Sequence, residues 1–381
     1  MHRLIVSISL ILAFCTSCSR EPEIQKSTMA FDGESSDLKS TQIVPTLDTA
    51  IEKGVNAIWC ASFVSAWKTL EEDLTKEPVS LETAPEIVTF LNKAADPRSH
   101  IPKSVLYTAT GWKQKGIINK IRKDLKQKFP TKTPPIFSDI AIDSFVAYAY
   151  LEVNLQFSLP YFQNREPLVF SSRAGKRTKL SSFGIRPEDD YAYFKLRQQP
   201  AILFVKYNNN YKHDEFIVDL DRASKPSQII IAMVERKHSL AQTYASVEAK
   251  ITSTGRKAKA EGLGPNDVLF VPDILWHIKH HFSELEGHEF TNTALKGQRL
   301  DIALQDIQFR LDRSGAELKS EAKMYMAPIP TYYVFDRPFL LYMKKRGAKQ
   351  PYFVMWIENA ELLQAWNTKK KSQQEDALDG E

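Results

Sequence analysis

The sequence predicts a mixed α+β fold in one large body of several sheets, almost multi-domain in size. Strand-like apolar runs fill the last third of the sequence, and amphipathic helical patterns lie in its first half. No Gly/Pro/Ser-rich linker divides the roughly 320 residues that are expected to fold. The 381 residues are 43% hydrophobic and 25% charged, with a net charge of +5. That charge is small for this length, so nucleic acid is not indicated as a partner.

Three strands are predicted near the C-terminus. Residues 307–311 alternate Ile, Phe and Leu with Gln and Arg, the pattern of a strand with one buried face. Residues 339–343 and 352–357 are continuously apolar, which is typical of strands buried on both faces. The basic turn 344–351 between them predicts a hairpin.

Short motifs accompany these strands. A Ser-Gly-Ala-Glu run stands at 314–317, and Phe335, Pro338 and Phe339 form a Phe-x-x-Pro-Phe pattern. In this order the motifs resemble the C-terminal end of the serpins, which inhibit proteases by inserting a loop into a sheet. The resemblance implies a large central sheet, C-terminal barrel-like strands and surrounding helices.

The resemblance is best from residue 145 to 359 and weak from 56 to 137. The strand-like run 145–157 resembles the central serpin strand, with Asn154 in the place of that strand's buried Asn. The expected long helix before it is shortened or missing, and Trp356 stands where the family usually has Gly.

The segment after the Gly315 hinge departs from the family. Only 20 residues, 316–335, precede Asp336, and the small residues expected after a hinge are replaced by Leu, Lys, Ser and Glu. A working inhibitor needs a markedly longer segment, so the sequence predicts a serpin-like scaffold without loop-insertion inhibition. The hinge and loop remnant comprises Gly315, Ala316, Glu317, Leu318, Lys319, Ser320, Glu321, Lys323, Ile329, Tyr332 and Tyr333.

Two arrangements of this remnant stay open. Charged and small residues alternate with period two from 316 to 324, so the segment is either a strand already inserted in the sheet or a charged bridge over its top. The Pro-stiffened run 326–334 either packs down or presents Ile329, Tyr332 and Tyr333 to a partner protein.

The N-terminus predicts export. A basic start and an apolar run of about eleven residues are typical of a signal peptide, too short to span a bilayer. Thr16-Ser17-Cys18 resembles a bacterial lipobox, which implies a lipid on Cys18 and sorting to the outer membrane or cell surface; plain secretion is the alternative. We therefore expect a signal peptide at 1–18, a flexible tether at 19–41, the folded domain at 42–366 and a disordered tail at 367–381.

Few residues suggest chemistry. Cys60 lies in an apolar run and is expected to be a buried small hydrophobe rather than a catalytic thiol. His277 and His281 would lie on one face if helical, but the zinc-protease pattern is absent, so exposed histidines are the simpler interpretation of these two and of His280. No cofactor or metal is expected, and an enzyme of unrelated fold, built on these residues, is the third hypothesis.

A helix predicted over 117–129 has a basic face. Lys120, Arg122, Lys123 and Lys126 lie on it, which favours either a solvated surface or a polyanion site. The other partners expected are an unidentified protein, with a protease among the candidates, and the membrane through the lipid. A functional inhibitor, either cut after Lys319 or Lys323 or binding a protease reversibly through a short rigid loop, is the second hypothesis.

Overall fold

The computed structural model describes residues 29–83, 86–130, 132, 141–154, 156–187, 190–206, 214–253, 262–313 and 331–367. Within these residues the helices are α1 Ala61–Leu70, α2 Glu86–Lys93, α3 Ile117–Lys128, α4 Asp190–Leu196 and α5 Leu240–Ser253. The strands are β1 Phe31–Glu34, β2 Thr41–Ile43, β3 Asn56–Cys60, β4 Leu106–Trp112, β5 Phe145–Asn154, β6 Phe162–Gln163, β7 Leu168–Ser171, β8 Arg177–Leu180, β9 Ser182–Ile185, β10 Ala201–Lys206, β11 Glu215–Asp219, β12 Ser227–Met233, β13 Val268–Pro272, β14 Ile274–His281, β15 His288–Glu289, β16 Arg299–Leu311, β17 Tyr332–Val334, β18 Phe339–Lys345 and β19 Phe353–Ile357.

Sheet I holds the two longest strands. Its order is β1-β14-β16-β5-β4, and β15 pairs with the start of β16. At its centre β16 runs parallel to β5, whereas β14 and β4 are antiparallel to their inner neighbours. The mixed direction requires long connections between the central strands, which the chain supplies.

Sheets II and III complete the body. Sheet II has the order β10-β11-β12-β18-β19-β3-β2, sheet III has the order β17-β13-β9-β6, and β7 and β8 form a separate ribbon. Residues from the central strands of sheets I and II share one hydrophobic core, so the two sheets pack face to face. The other face of sheet I, here the outer face, carries α3, whose Ile117, Ile121 and Leu125 pack with Tyr148 of β5.

Several predictions from the sequence are confirmed. The fold is α+β, the hairpin of β18 and β19 is antiparallel, and α3 follows the predicted helix to within a residue. The strand predicted over 307–311 is longer than its alternating pattern suggested, because it begins at Arg299. Its first half lacks clean alternation since it is buried on both faces, with Leu300, Ala303 and Leu304 all inside.

The predicted flexible tether over 19–41 is wrong for its C-terminal part. Residues 31–34 form β1 at the edge of sheet I, and Thr41 begins β2 at the edge of sheet II. This polar segment is ordered because it adds strands to existing sheet edges, where hydrogen bonds do not depend on apolar side chains. Residues 1–28, including Cys18, and the tail beyond Asn367 lie outside the described residues.

No helix within the described ranges is long and apolar enough to cross a membrane.

Candidate functional site

The hinge and loop remnant falls between two described strands. Gly315 to Lys323 and Ile329 lie outside the described residues, but both flanks are described. Sheet I delivers the chain at Leu311, the end of β16, and sheet III receives it at Tyr332, the start of β17. β17 runs parallel to β13, with Tyr332 opposite Val268 and Val334 opposite Phe270.

The two tyrosines at the far flank have different environments. Tyr332 is 41% exposed, whereas Tyr333 is buried with its ring 5.4 Å from that of Phe216. Presentation of Tyr333 to a partner, one of the arrangements considered from the sequence, is therefore wrong. Successive side chains of β17 point to opposite faces, so only one of the pair can face solvent.

The Phe-x-x-Pro-Phe residues anchor the chain beyond β17. Phe335 and Phe339 are fully buried, with ring centroids 5.3 Å apart, and Phe335 also lies 4.9 Å from Phe216. Pro338 is half-buried beside them. These residues hold sheet III against sheet II. Asn154 is the last residue of β5, opposite Arg310.

The central strands of sheet I pair directly. Ten positions of β5, from Phe145 to Asn154, are in register with β16 between Leu300 and Arg310. In the described residues no strand lies between β5 and β16. The two central strands are therefore joined directly to each other, here called the closed centre of sheet I. This direct pairing disagrees with the arrangement in which the loop is already inserted between them.

A buried charge cluster lies on the outer face of this closed centre. Asp306 of β16 is fully buried, and its Oδ1 accepts a hydrogen bond from Lys132 Nζ at 3.0 Å and lies 2.7 Å from His277 Nε2. His277 Nε2 also lies 2.8 Å from Lys132 Nζ. Its Oδ2 accepts a hydrogen bond from the Tyr148 hydroxyl at 3.1 Å. Lys132 Nζ also lies 4.6 Å from the centre of the Tyr150 ring. The cluster joins β5, β14, β16 and the chain just after α3.

The pKa values in the cluster follow from burial and charge. Burial alone would raise the pKa of Asp306, but its hydrogen bond with His277 and the charge of Lys132 together hold it below its ordinary value. Burial, followed by the charge of Asp306, raises the pKa of Tyr148, so this hydroxyl stays protonated and donates. Both carboxylate oxygens of the buried Asp306 therefore have hydrogen-bonding partners.

The inner face of β16 carries a second polar link. The Gln305 amide donates to the Cys60 carbonyl at 3.0 Å and to Ser62 Oγ at 2.9 Å, where β3 turns into α1. Burial raises the pKa of the Cys60 thiol to about 11, and its hydrogen bond with Ser62 offsets only part of the rise. A thiol protonated at neutral pH is a poor nucleophile. The geometry therefore speaks against the enzyme hypothesis based on Cys60, which is buried as expected.

The histidines lie on a strand, so the helical arrangement considered for His277 and His281 is wrong. The exposure expected of the three holds only for His281, since His277 and His280 are partly buried. In β14 His277 faces outward to Asp32 and Asp306, and His281 Nδ1 lies 2.7 Å from Glu286. His280 points to the inner face, where Ser35 Oγ lies 2.7 Å from its Nδ1. In the part of the chain that the structure describes, no group of three or more His, Cys, Asp or Glu side chains is arranged so that it could hold a metal ion.

The basic face of α3 is exposed as predicted. Lys120 Nζ donates to Asp124 at 2.6 Å, and this hydrogen bond is the main reason why the pKa of Asp124 is lowered. Arg122, Lys123 and Lys126 are exposed, and none forms an ion pair with a described carboxylate. Three cations on one helix face are thus left available to solvent.

Sequence reasoning missed the charge cluster. A polar residue at 306 fits the outward face of an alternating strand, so nothing in the local pattern showed that this face is covered. The sequence does hold one signal: Asp306 lies in a long strand, with the apolar Ala303 and Leu304 shortly before it and Ile307 directly after it. Such a carboxylate needs a buried cation, and Lys132 lies in a Pro-rich stretch that offered no pattern.

The comparisons with known proteins give structural similarity only. No family model matches the chain, and no curated protein matches it. Among solved structures, the chain is similar to native protease nexin-1 with heparin, at 10% identity and a TM-score of 0.45 over 80% of this chain and 92% of that one. It is also similar to Serpin48, a highly specific serpin of the insect Tenebrio molitor, at 12% identity and a TM-score of 0.44 over 82% and 92% of the two chains. The serpin-like fold predicted from the sequence agrees with the sheets described above, where a long central sheet is linked through β17 to the C-terminal hairpin.

Proposed function

We propose that this chain is a serpin-fold, exported lipoprotein that binds a protein or a surface and does not inhibit proteases by loop insertion. The observation that carries the proposal is the short connection between the end of β16 and the start of β17. Residues 312–331, 20 in number, must leave sheet I and reach sheet III.

The length of this connection limits insertion. A cut after Lys319 leaves eight residues, 312–319, attached to β16, and a cut after Lys323 leaves twelve, 312–323. At least two must form the turn back into the sheet. After a cut at Lys319, six residues then remain, too few for the ten positions over which β5 and β16 pair; after a cut at Lys323, ten remain. The longer insert would fill the sheet only by using every residue up to the cut, so none would be left to present the scissile bond above the sheet.

The closed centre adds a second obstacle. A new strand between β5 and β16 would have to break their direct pairing and separate Tyr148 from Asp306. The same separation would leave a buried carboxylate short of a partner, which costs free energy. Exposed Tyr332, at the edge of sheet III, is better suited to rigid binding of a partner.

Limited proteolysis tests this proposal. The purified chain is cut with a lysine-specific protease at Lys319 and Lys323, and the melting temperature and a denaturing gel are compared before and after. No rise in melting temperature and no covalent adduct are expected. The variant Lys319→Ala/Lys323→Ala, which resists the cut, is the matched control. A large rise on cutting, together with an adduct, would establish the inhibitor instead.

Membrane attachment through Cys18 is part of the same proposal and rests on the lipobox-like sequence alone. Expression in a two-membrane bacterium with a radioactive fatty acid should label the wild-type chain and leave Cys18→Ala unlabelled. Cys60→Ala is the control and should label like the wild type. Equal labelling of Cys18→Ala would contradict the anchor.

A polyanion is a second candidate ligand, favoured by the exposed Arg122, Lys123 and Lys126 of α3. Binding of an acidic polysaccharide should weaken about tenfold or more when all three become Ala, and it should weaken with rising salt. A triple variant of other exposed cations, Lys39, Lys53 and Lys349, is the control. Equal binding by both triple variants would reject α3 as the site.

A further inference from the structure

The N-terminal segment from Phe31 to Asp37, here called the strap, is held to sheet I by two histidines of β14. β1 pairs in parallel with β14, with Asp32 opposite His277, and the next residues place Ser35 beside His280. Positions 277 and 280 are three apart in a strand, so their side chains leave opposite faces. The strap is thus pinned from both faces of the sheet at its edge.

The outer-face contact belongs to the charge cluster. Asp32 Oδ1 lies 2.7 Å from His277 Nδ1, while the other ring nitrogen is 2.7 Å from Asp306. The charged groups around His277 are therefore Asp32 from the strap, Asp306 from β16 and Lys132 from the chain after α3. Asp32 itself is 63% exposed, so this contact lies at the rim of the cluster.

The inner-face contact is of a different kind. His280 packs edge-on against the Phe282 ring at 4.6 Å, its cross-strand neighbour on β16 is the uncharged Gln305, and Ser35 covers its Nδ1. The titratable groups near it are His281 and Glu286, and Glu34 of β1 and Lys279 lie near His281. No carboxylate within the described ranges forms an ion pair with His280.

We propose that the strap is a pH-sensitive latch: it closes over His280 only while that imidazole is neutral, and uptake of a proton by His280 releases it from β14. The proposal does not depend on the ligand or the anchor proposed above. The closed strap places Ser35 Oγ on His280 Nδ1, so this nitrogen is taken from water beside an aromatic ring, which disfavours the imidazolium.

The direction of the pH dependence follows by linkage. Burial, reinforced by the neighbouring His281 and opposed by Glu286, lowers the pKa of His280 to about 4. The open strap exposes a histidine with an ordinary pKa near 6.5. The latch is therefore fully effective above pH 6.5 and weakens as the pH falls from 6.5 toward 4. Over that range the opening equilibrium of the strap should change by up to about tenfold per pH unit.

Amide hydrogen exchange of the full chain measures the latch. After correction for intrinsic exchange, opening of β1 should rise about 30-fold between pH 7.5 and 5.0. In His280→Asn, which cannot take up the proton, the rise should disappear. His288→Asn, on β15, changes a histidine outside the strap and should keep the wild-type response. A flat response in the wild type, an unchanged response in His280→Asn, or parallel loss of protection in β19 would overturn the proposal.

A second measurement distinguishes the latch from simple electrostatics. The titration of His280 is followed through exchange of its ring C2 hydrogen in the wild type and in Asp32→Ala, which loosens the strap at the other face. Release of the strap should raise the pKa of His280 toward 6.5, whereas loss of a nearby negative charge alone would lower it. An unchanged or lowered pKa would contradict the latch.

Discussion

The hairpin of sheet II and the centre of sheet I are equally buried but are held together differently. In β18 and β19 all residues of 339–343 and 353–357 are buried and none of them is charged. β16 is buried along most of its length too, yet it carries Gln305 and Asp306 at its middle, each bonded to a neighbouring element. Burial of apolar area is non-directional, so many different apolar neighbours can stabilise the hairpin. A buried carboxylate instead requires hydrogen-bond donors or a cation at specific positions.

The largest expected effect is in the apolar layer. Phe353 stacks on Phe309 at 4.9 Å and lies between the two sheets, so Phe353→Ala should lower the free energy of unfolding by about 4 kcal/mol. Denaturant unfolding followed by circular dichroism measures the loss. Phe194→Ala, at a side chain that is 57% exposed, is the control and should cost well under half as much. Equal losses would show that burial does not set the effect.

The next effect is in the charge cluster. Asp306→Asn leaves the buried Lys132 ammonium without its anionic partner and should lower the free energy of unfolding by about 3 kcal/mol. Adding Lys132→Met should restore most of this loss, because the cation no longer needs a partner. No recovery in the double variant would mean that the geometry of Asp306, rather than the charge pair, stabilises the sheet.

A change of pH should separate the two regions. Because the pKa of Asp306 is lowered in the folded chain, its stabilising contribution is present above the ordinary carboxylate pKa near 4 and is lost as the pH falls through the folded value. The stability difference between wild type and Asp306→Asn should therefore shrink between pH 7 and pH 3. The difference between wild type and Phe353→Ala should stay constant over the same range. A constant difference for both would remove Asp306 from the acid response.

The smallest effect is expected at the surface. Lys120 and Asp124 of α3 pair at 2.6 Å, but the lysine side chain is 61% exposed. Lys120→Gln should lower the free energy of unfolding by about 0.5 kcal/mol or less, and salt should reduce even that. Comparison with Asp306→Asn shows how much a lysine–aspartate pair contributes to the free energy of unfolding when it is exposed and when it is buried. A loss comparable to that of Asp306→Asn would contradict this view of exposed pairs.

The sequence predicts the apolar elements better than the polar contacts between distant residues. The hairpin of β18 and β19 and the helix α3 are visible in the sequence, since their apolar patterns are local. β1 is not, because Phe-Asp-Gly-Glu has no strand pattern and forms a strand only by pairing with β14. Likewise the contacts of His277 and Asp306 depend on residues 29 to 245 positions away, which no local pattern records.

The strap also limits the length of chain between the expected lipid and the folded body. If Cys18 carries the lipid, full extension to Phe31 gives the folded body a reach of at most about 45 Å from the bilayer while the strap is closed. Once the strap is released, the chain is next held at Lys39, whose N–H donates to Glu361, and the maximum reach grows to about 70–75 Å. A single proton on His280 would then raise by more than half the greatest distance from the bilayer at which this protein meets its partners.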